Sequence, residues 1–89
     1  MQPTDEKIYL ADVNRELIKQ LLDSAPDLHS LMCHVKPILG ESQAHPRQTA
    51  LVLLCDTGEI ASTFIRKLNV MQQLLLDAIP FAELRVETI

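Results

Sequence analysis

The sequence predicts a small α+β domain in which a three-stranded sheet packs on helices. Three patterns indicate this class. Residues 50–55, Ala-Leu-Val-Leu-Leu-Cys, form an unbroken apolar run of strand length, which is typical of a strand buried on both faces. Apolar residues then recur at steps of three and four over residues 61–79, which predicts one amphipathic helix of about five turns. Residues 83–87 alternate charged and aliphatic side chains, as a half-exposed strand does.

Two helices are predicted before the sheet. Thr4 or Asp5 can cap a first helix, since apolar residues at helical spacing follow them: Ile8, Leu10, Val13, Leu17, Ile18, Leu21 and Leu22. Pro26 disfavours helical geometry at the residue before it but suits the first turn of a new helix. A short second helix is therefore expected over about residues 24–32.

The segment that follows has two interpretations. Its apolar residues also fit helical spacing, but Pro37 would remove a hydrogen bond and clash inside a helix, at a cost of about 3 kcal/mol. Residues 32–38 alternate as in a strand, and an edge strand tolerates proline. We favour the edge strand. Residues 40–48 are polar and predict a loop.

Turn residues mark both ends of the long predicted helix. Gly58 permits a positive φ, and Asp56 or Thr57 can cap the helix that follows. Pro80 ends it, and Phe81 is expected to fill the corner before the last strand. A strand–helix–strand unit of this kind is expected to be parallel if its two strands are neighbours in the sheet. The predicted order is helix, short helix, strand, strand, helix, strand.

Length and composition indicate a single domain spanning residues 1–89. The net charge is −4 and the pI is near 5.2, whereas a chain that binds phosphates non-specifically is expected to be basic. Cys33 and Cys55 are both expected to be buried free thiols. The sequence shows neither a signal peptide nor a membrane span, so we expect a cytoplasmic protein without a membrane partner.

No motif predicts catalysis, a metal or a cofactor. The histidines at 29, 34 and 45 lack the paired spacing of a metal site, and both cysteines lack a neighbouring base in a recognisable arrangement. Nucleotide-binding glycine motifs and nucleophile elbows are absent from the sequence. We expect a protein that is not an enzyme and needs no cofactor.

Three cations are the candidate binding residues. Arg66 and Lys67 are expected on the first turns of the long helix, and Arg47 lies in the polar loop before the central strand. If the loop and the helix start come together, these side chains form a small phosphate-facing patch. The alternative is an ordinary solvated face, because Asp56 and Glu59 are close enough in sequence to neutralise it.

Three stretches resemble one family. Residues 51–61, Leu-Val-Leu-Leu-Cys-Asp-Thr-Gly-Glu-Ile-Ala, with Phe64 and the leucine-rich residues 71–76, resemble the L-x-L-x-V-x-S-x-x-W-A-x-x-L-R stretch of DciA-like proteins. Residues 25–35 are similar to that family's L-P-x-x-L-x-x-x-C-x-V stretch, and residues 84–86 to its last strand. The likeness covers about residues 15–88. Ile60 stands where the family has Trp, and Arg66 stands one place after the family's Arg.

The resemblance implies a K-homology-like domain that acts in bacterial DNA replication. DciA-like proteins are accessory factors for loading the replicative helicase, so the implied partner is that helicase, with a weak single-stranded DNA contact at Arg47, Arg66 and Lys67. The alternative is a protein interaction or homodimeric assembly module unrelated to replication. That alternative is favoured by Val70, Leu74 and Leu76, which lie off the main apolar stripe of the long helix. Leu10 and Ile18 likewise broaden the apolar stripe of the first helix.

Overall fold

The computed structural model describes residues 12–43 and 47–89, and it confirms the predicted α+β class with a three-stranded sheet packed against helices. The elements are, in chain order, α1 (Arg15–Leu21), α2 (Pro26–Leu31), a 3-10 turn (Met32–His34), β1 (Val35–Glu41), β2 (Thr49–Cys55), α3 (Gly58–Arg66), α4 (Leu68–Leu76) and β3 (Glu83–Thr88).

β2 is the middle strand of the sheet, whose order is β1-β2-β3. β1 pairs with it antiparallel, with Val35 opposite Cys55 and Glu41 opposite Thr49. β3 pairs with it parallel, with Leu84 opposite Leu51. The apolar run therefore forms the central strand, as predicted, and the strands on either side of the helical crossover are parallel neighbours.

Pro37 lies in an edge strand, which confirms the interpretation favoured from the sequence. The Asp56 amide donates to the His34 carbonyl at 3.0 Å, and the Ser42 amide donates to the Gln48 carbonyl at 2.9 Å. Because bonded pairs alternate along an antiparallel ladder, even-numbered residues of β1 bond to β2 and Pro37 turns its nitrogen to the free side. Pairing with β2 also extends β1 to Glu41, so the loop predicted from residue 40 is shorter.

The core lies between the helices and one face of the sheet. Leu51, Leu53 and Cys55 point into it from β2 and are fully buried, and the edge strands add Val35 and Leu84. The helical half contributes further fully buried side chains: Ile18, Leu22, Leu28, Met32, Phe64, Met71 and Leu75. Ala50 and Val52 on the opposite face of β2 are buried as well, which agrees with a strand covered on both faces.

The predicted single long helix is two helices, α3 and α4, separated at Lys67. Lys67 has φ −111° and ψ 22°, outside helical geometry. Neither glycine nor proline stands near this break, so no local signal in the sequence marks it. Gly58 is the first residue of α3, and no described glycine has a positive φ. The turn before α3 therefore does not use the positive φ that Gly58 permits.

The first helix begins later than expected. Asn14 caps α1, since its Oδ1 accepts the Leu17 amide at 2.9 Å, and Val13 precedes the helix. The caps predicted at Thr4 and Asp5 lie outside the described residues. The short second helix agrees with the prediction, with Pro26 in its first turn and Leu28 buried.

The two cysteines differ in environment. Cys55 is buried, as predicted, and burial raises the pKa of its thiol above the ordinary value, with a further contribution from the Asp56 carboxylate. Cys33 is exposed, which corrects the prediction. The reason is that residue 33 lies in the 3-10 turn before β1, and Met32 is the residue that this turn buries in the core.

Candidate partner-binding surface

The break between α3 and α4 carries two of the three predicted binding residues. Lys67 ends α3 and starts α4: its amide donates to the Phe64 carbonyl at 3.2 Å, and its carbonyl accepts the Met71 amide at 3.0 Å. Phe64 and Met71 are fully buried on either side. The break is therefore anchored to the core, and Arg66 lies at the end of α3, not in the first turns of a long helix as predicted.

Lys67 is held by an ion pair to α2. Its Nζ donates to Asp27 Oδ2, and both side chains are about half exposed. The hydrogen bond from Lys67 holds the pKa of the Asp27 carboxyl below its ordinary value, and backbone donors to that carboxyl act in the same direction. Lys67 thus joins α2 to the break, and its charge is matched locally. Asp27 is a neutralising partner that sequence reasoning did not find.

Two aliphatic side chains flank the break in contact with solvent. Ile65 is 54% exposed at the end of α3, although it belongs to the apolar spacing that predicted the amphipathic helix over residues 61–79. Val70 is 55% exposed in α4. Arg66 is exposed between them, with Nη2 3.5 Å from Thr63 Oγ1. We define Ile65, Arg66, Lys67 and Val70 as the junction surface.

Arg47 is exposed in the connection between β1 and β2, immediately before β2 begins. Arg66 and Lys67 lie next to each other at the helix break, and Arg47 lies in the connection between β1 and β2. That the three cations form one patch stays a prediction.

A shallow open depression lies where the start of β2 meets the segment before β3. Its volume is about 440 Å³, and it is lined by Gln48, Thr49, Pro80, Phe81 and Ala82. The Ala82 amide donates to the Thr49 carbonyl at 2.9 Å, which joins the entry of β3 to the start of β2. None of these five described residues is ionisable, so they supply shape but no charged group.

Arg85 was not singled out from the sequence, yet its guanidinium links the two outer strands, β3 and β1. Nη1 donates to the Glu41 carbonyl at 3.0 Å, and Nε donates to Glu87 at 3.1 Å. Glu83, whose Oε2 is 3.7 Å from Arg85, accepts the Ser42 hydroxyl and the Gln43 amide, both at 2.9 Å. The alternation of Glu83, Arg85 and Glu87 on one face of β3 was the signal that could have found this network.

His29 and His34, the two described histidines, do not share a ligand set. His34 Nδ1 lies 3.4 Å from Asp56 Oδ2 on the exposed surface, and His29 Nδ1 lies 2.8 Å from the Lys19 carbonyl. Among the described residues, no three His, Cys, Asp or Glu side chains are placed to hold one metal ion. His45 lies outside those residues.

Comparisons with protein-family models, with curated proteins and with solved structures gave no match to this chain. No helix within residues 12–43 and 47–89 has the length and apolar character needed to cross a membrane.

Proposed function

We propose that the protein is a non-catalytic adaptor that binds a bacterial replicative helicase through the junction surface, in the manner of DciA-like proteins. The observation that carries the proposal is the pair of aliphatic side chains, Ile65 and Val70, each more than half exposed beside cationic residues. The helicase as partner rests on the resemblance of residues 51–61 and 25–35 to the family's stretches.

The chemistry of the junction surface suits a protein partner. Exposed aliphatic groups gain free energy when a partner removes them from water, at about 25 cal/mol per Å² of apolar area. Arginine is enriched at protein interfaces, where its guanidinium pairs with carboxylates. The partner expected here has an apolar pocket bordered by acidic residues.

Single-stranded DNA is the second proposed ligand, with Arg47 and Arg66 as its contacts. Neither side chain forms an ion pair with a described residue, so both charges are available to phosphate. Lys67 is the weaker of the three predicted contacts because Asp27 already neutralises it. With an overall charge of −4, the chain is expected to bind DNA weakly and with few phosphate contacts.

The helicase proposal is tested by retention of the replicative helicase of the same cell on immobilised protein. The wild-type chain is expected to retain it. Val70→Asp should reduce retention strongly, because a charge would be buried in an apolar contact. Gln72→Asp is the matched control, since it places the same charge on an exposed site of the same helix.

Retention that Val70→Asp leaves unchanged would exclude the junction surface as the contact. No retention by a folded wild-type sample would contradict the adaptor role itself. Both variants are checked by circular dichroism before the binding experiment.

The DNA proposal predicts a small salt dependence of affinity. For single strands, the slope of log affinity against log salt changes by about 0.7 for each phosphate contact. Arg66→Gln should therefore reduce the slope by about that amount in a fluorescence anisotropy titration. Lys36→Gln, an exposed cation on β1, is the control and should leave the slope unchanged. If both variants gave the same slope of log affinity against log salt, Arg66 would not be a DNA contact.

A further inference from the structure

We propose that β3 is the contact strand of a weak homodimer. In it, the free side of β3 pairs antiparallel with β3 of a second copy, and the two three-stranded sheets become one continuous sheet. This inference does not depend on the proposed function, and it leaves the junction surface on α3 and α4 free. Two observations support it. The backbone groups on the free side of β1 are blocked whereas those of β3 are open, and the charges on β3 are complementary in one pairing.

The free side of β1 is closed to another strand. Pro37 lies on it and has no amide N–H to donate. The Val35 carbonyl, which also faces this side, already accepts a hydrogen bond from Arg15 Nε at 2.8 Å. A proline and an occupied acceptor are devices that protect an edge strand from pairing.

The free side of β3 carries no such protection. The Ile89 amide donates to the Cys55 carbonyl at 3.0 Å, and the parallel register places Thr88 opposite Cys55. Backbone groups alternate along a parallel ladder, so odd-numbered residues of β3 bond to β2. Leu84, Val86 and Thr88 therefore direct their amides and carbonyls to the free side, and no described strand pairs with them there.

Charge selects one register among those in which at least two of the three outward residues of each β3 strand are paired. Both strands must use Leu84, Val86 and Thr88 for their hydrogen bonds, which permits only shifts of two residues. With Val86 opposite Val86 of the second copy, Arg85 lies opposite Glu87 in both halves. The neighbouring registers place Arg85 opposite Arg85 or Glu87 opposite Glu87, and like charges directly opposite each other are unfavourable.

The dimer obeys two-fold symmetry, because each strand contributes the same residues in reverse order. Half-buried Val86 lies at its centre, where pairing removes it further from water. A six-residue strand buries much less than the roughly 1,600 Å² of a standard interface. The dimer is therefore expected to be reversible and dependent on concentration.

Sedimentation equilibrium of the full chain from low micromolar to about millimolar concentration tests the proposal. The wild-type chain is expected to pass from monomer to dimer in this range. Thr88→Pro should weaken dimerisation roughly tenfold or more, because it removes one intermolecular N–H from each copy and leaves the bonds to β2 intact. Thr88→Val is the matched control, since it retains the N–H and should dimerise like the wild type.

Two charge variants test the register. Glu87→Lys and Arg85→Glu should each dimerise less than the wild type when alone, because each places like charges opposite each other. Mixed together they should form a heterodimer with both pairs restored. Thr88→Pro decides the question if Arg85→Glu does not fold. A chain that stays monomeric throughout, or a dimer that Thr88→Pro does not weaken, would overturn the proposal.

Discussion

Asp27 and Lys67 tie α2 to the break between α3 and α4 with one ion pair. Because both side chains are about half exposed, solvent screens the ion pair and its contribution to stability is small. Its effect is local to the helix break. It fixes the single non-helical residue between two helices to a neighbouring element. The position of the junction surface relative to α2 thus depends on a contact that titrates with the Asp27 carboxyl.

Stability is expected to depend on pH through this pair. Lys67 holds the pKa of Asp27 below its unfolded value of 3.8, so the stabilisation is complete above that pH and is lost as the pH falls through the folded pKa. Asp27→Asn should lower the thermal midpoint at pH 7, and the difference from wild type should shrink below pH 3.8.

Asp23→Asn is the control, because Asp23 is exposed in the turn before α2. A deficit of Asp27→Asn that is as large in acid as at neutral pH would show that the ion pair is not its cause. Thermal unfolding followed by circular dichroism at several pH values measures both variants.

At the scale of single elements, the turn from β2 into α3 depends on one hydroxyl. Thr57 is the N-cap of α3, and its Oγ1 accepts the Ile60 amide at 3.3 Å. The sequence offered Asp56 or Thr57 for this role, and the Asp56 carboxylate instead faces His34. The cap satisfies an amide that would otherwise lack a partner at the start of the helix.

Thr57→Ala is expected to reduce the free energy of unfolding by about 1 kcal/mol, whereas Thr57→Ser should retain most of it because serine caps equally well. Urea unfolding of the two variants measures the difference. A loss that is the same for serine and alanine would assign the effect to the threonine methyl group and not to the cap.

Elements with strong local patterns were predictable, and their interruptions were not. β2 follows from six consecutive apolar residues, and Pro26 marks the start of α2. The break at Lys67 has no glycine or proline to mark it, and the residues on either side of it, Phe64 and Met71, are buried in the core. The candidate site shares this limit: the sequence identified Arg66 and Lys67, but their position at the end of α3 and the partner Asp27 depend on tertiary structure.

At the scale of the whole molecule, the predicted order of helices and strands gave the correct class because each step in the chain allowed few alternatives. A central strand, a helical crossover and a third strand favour parallel neighbours, and β3 pairs parallel with β2. Which backbone amides and carbonyls face outward from β1 and β3 depends on the hydrogen-bond alternation along each strand. That alternation is set by hydrogen bonds such as Ile89 to Cys55, which composition does not reveal.

Pro37 and Arg15, on the outer side of β1, also limit the proposed assembly to two copies. Two copies joined through β3 present only their β1 sides at the ends of the shared sheet, and there Pro37 lacks a donor and Arg15 occupies the Val35 carbonyl. Such a sheet has no growing end, so addition stops after the second copy. A chain with two receptive sides would instead polymerise into filaments as its concentration rose.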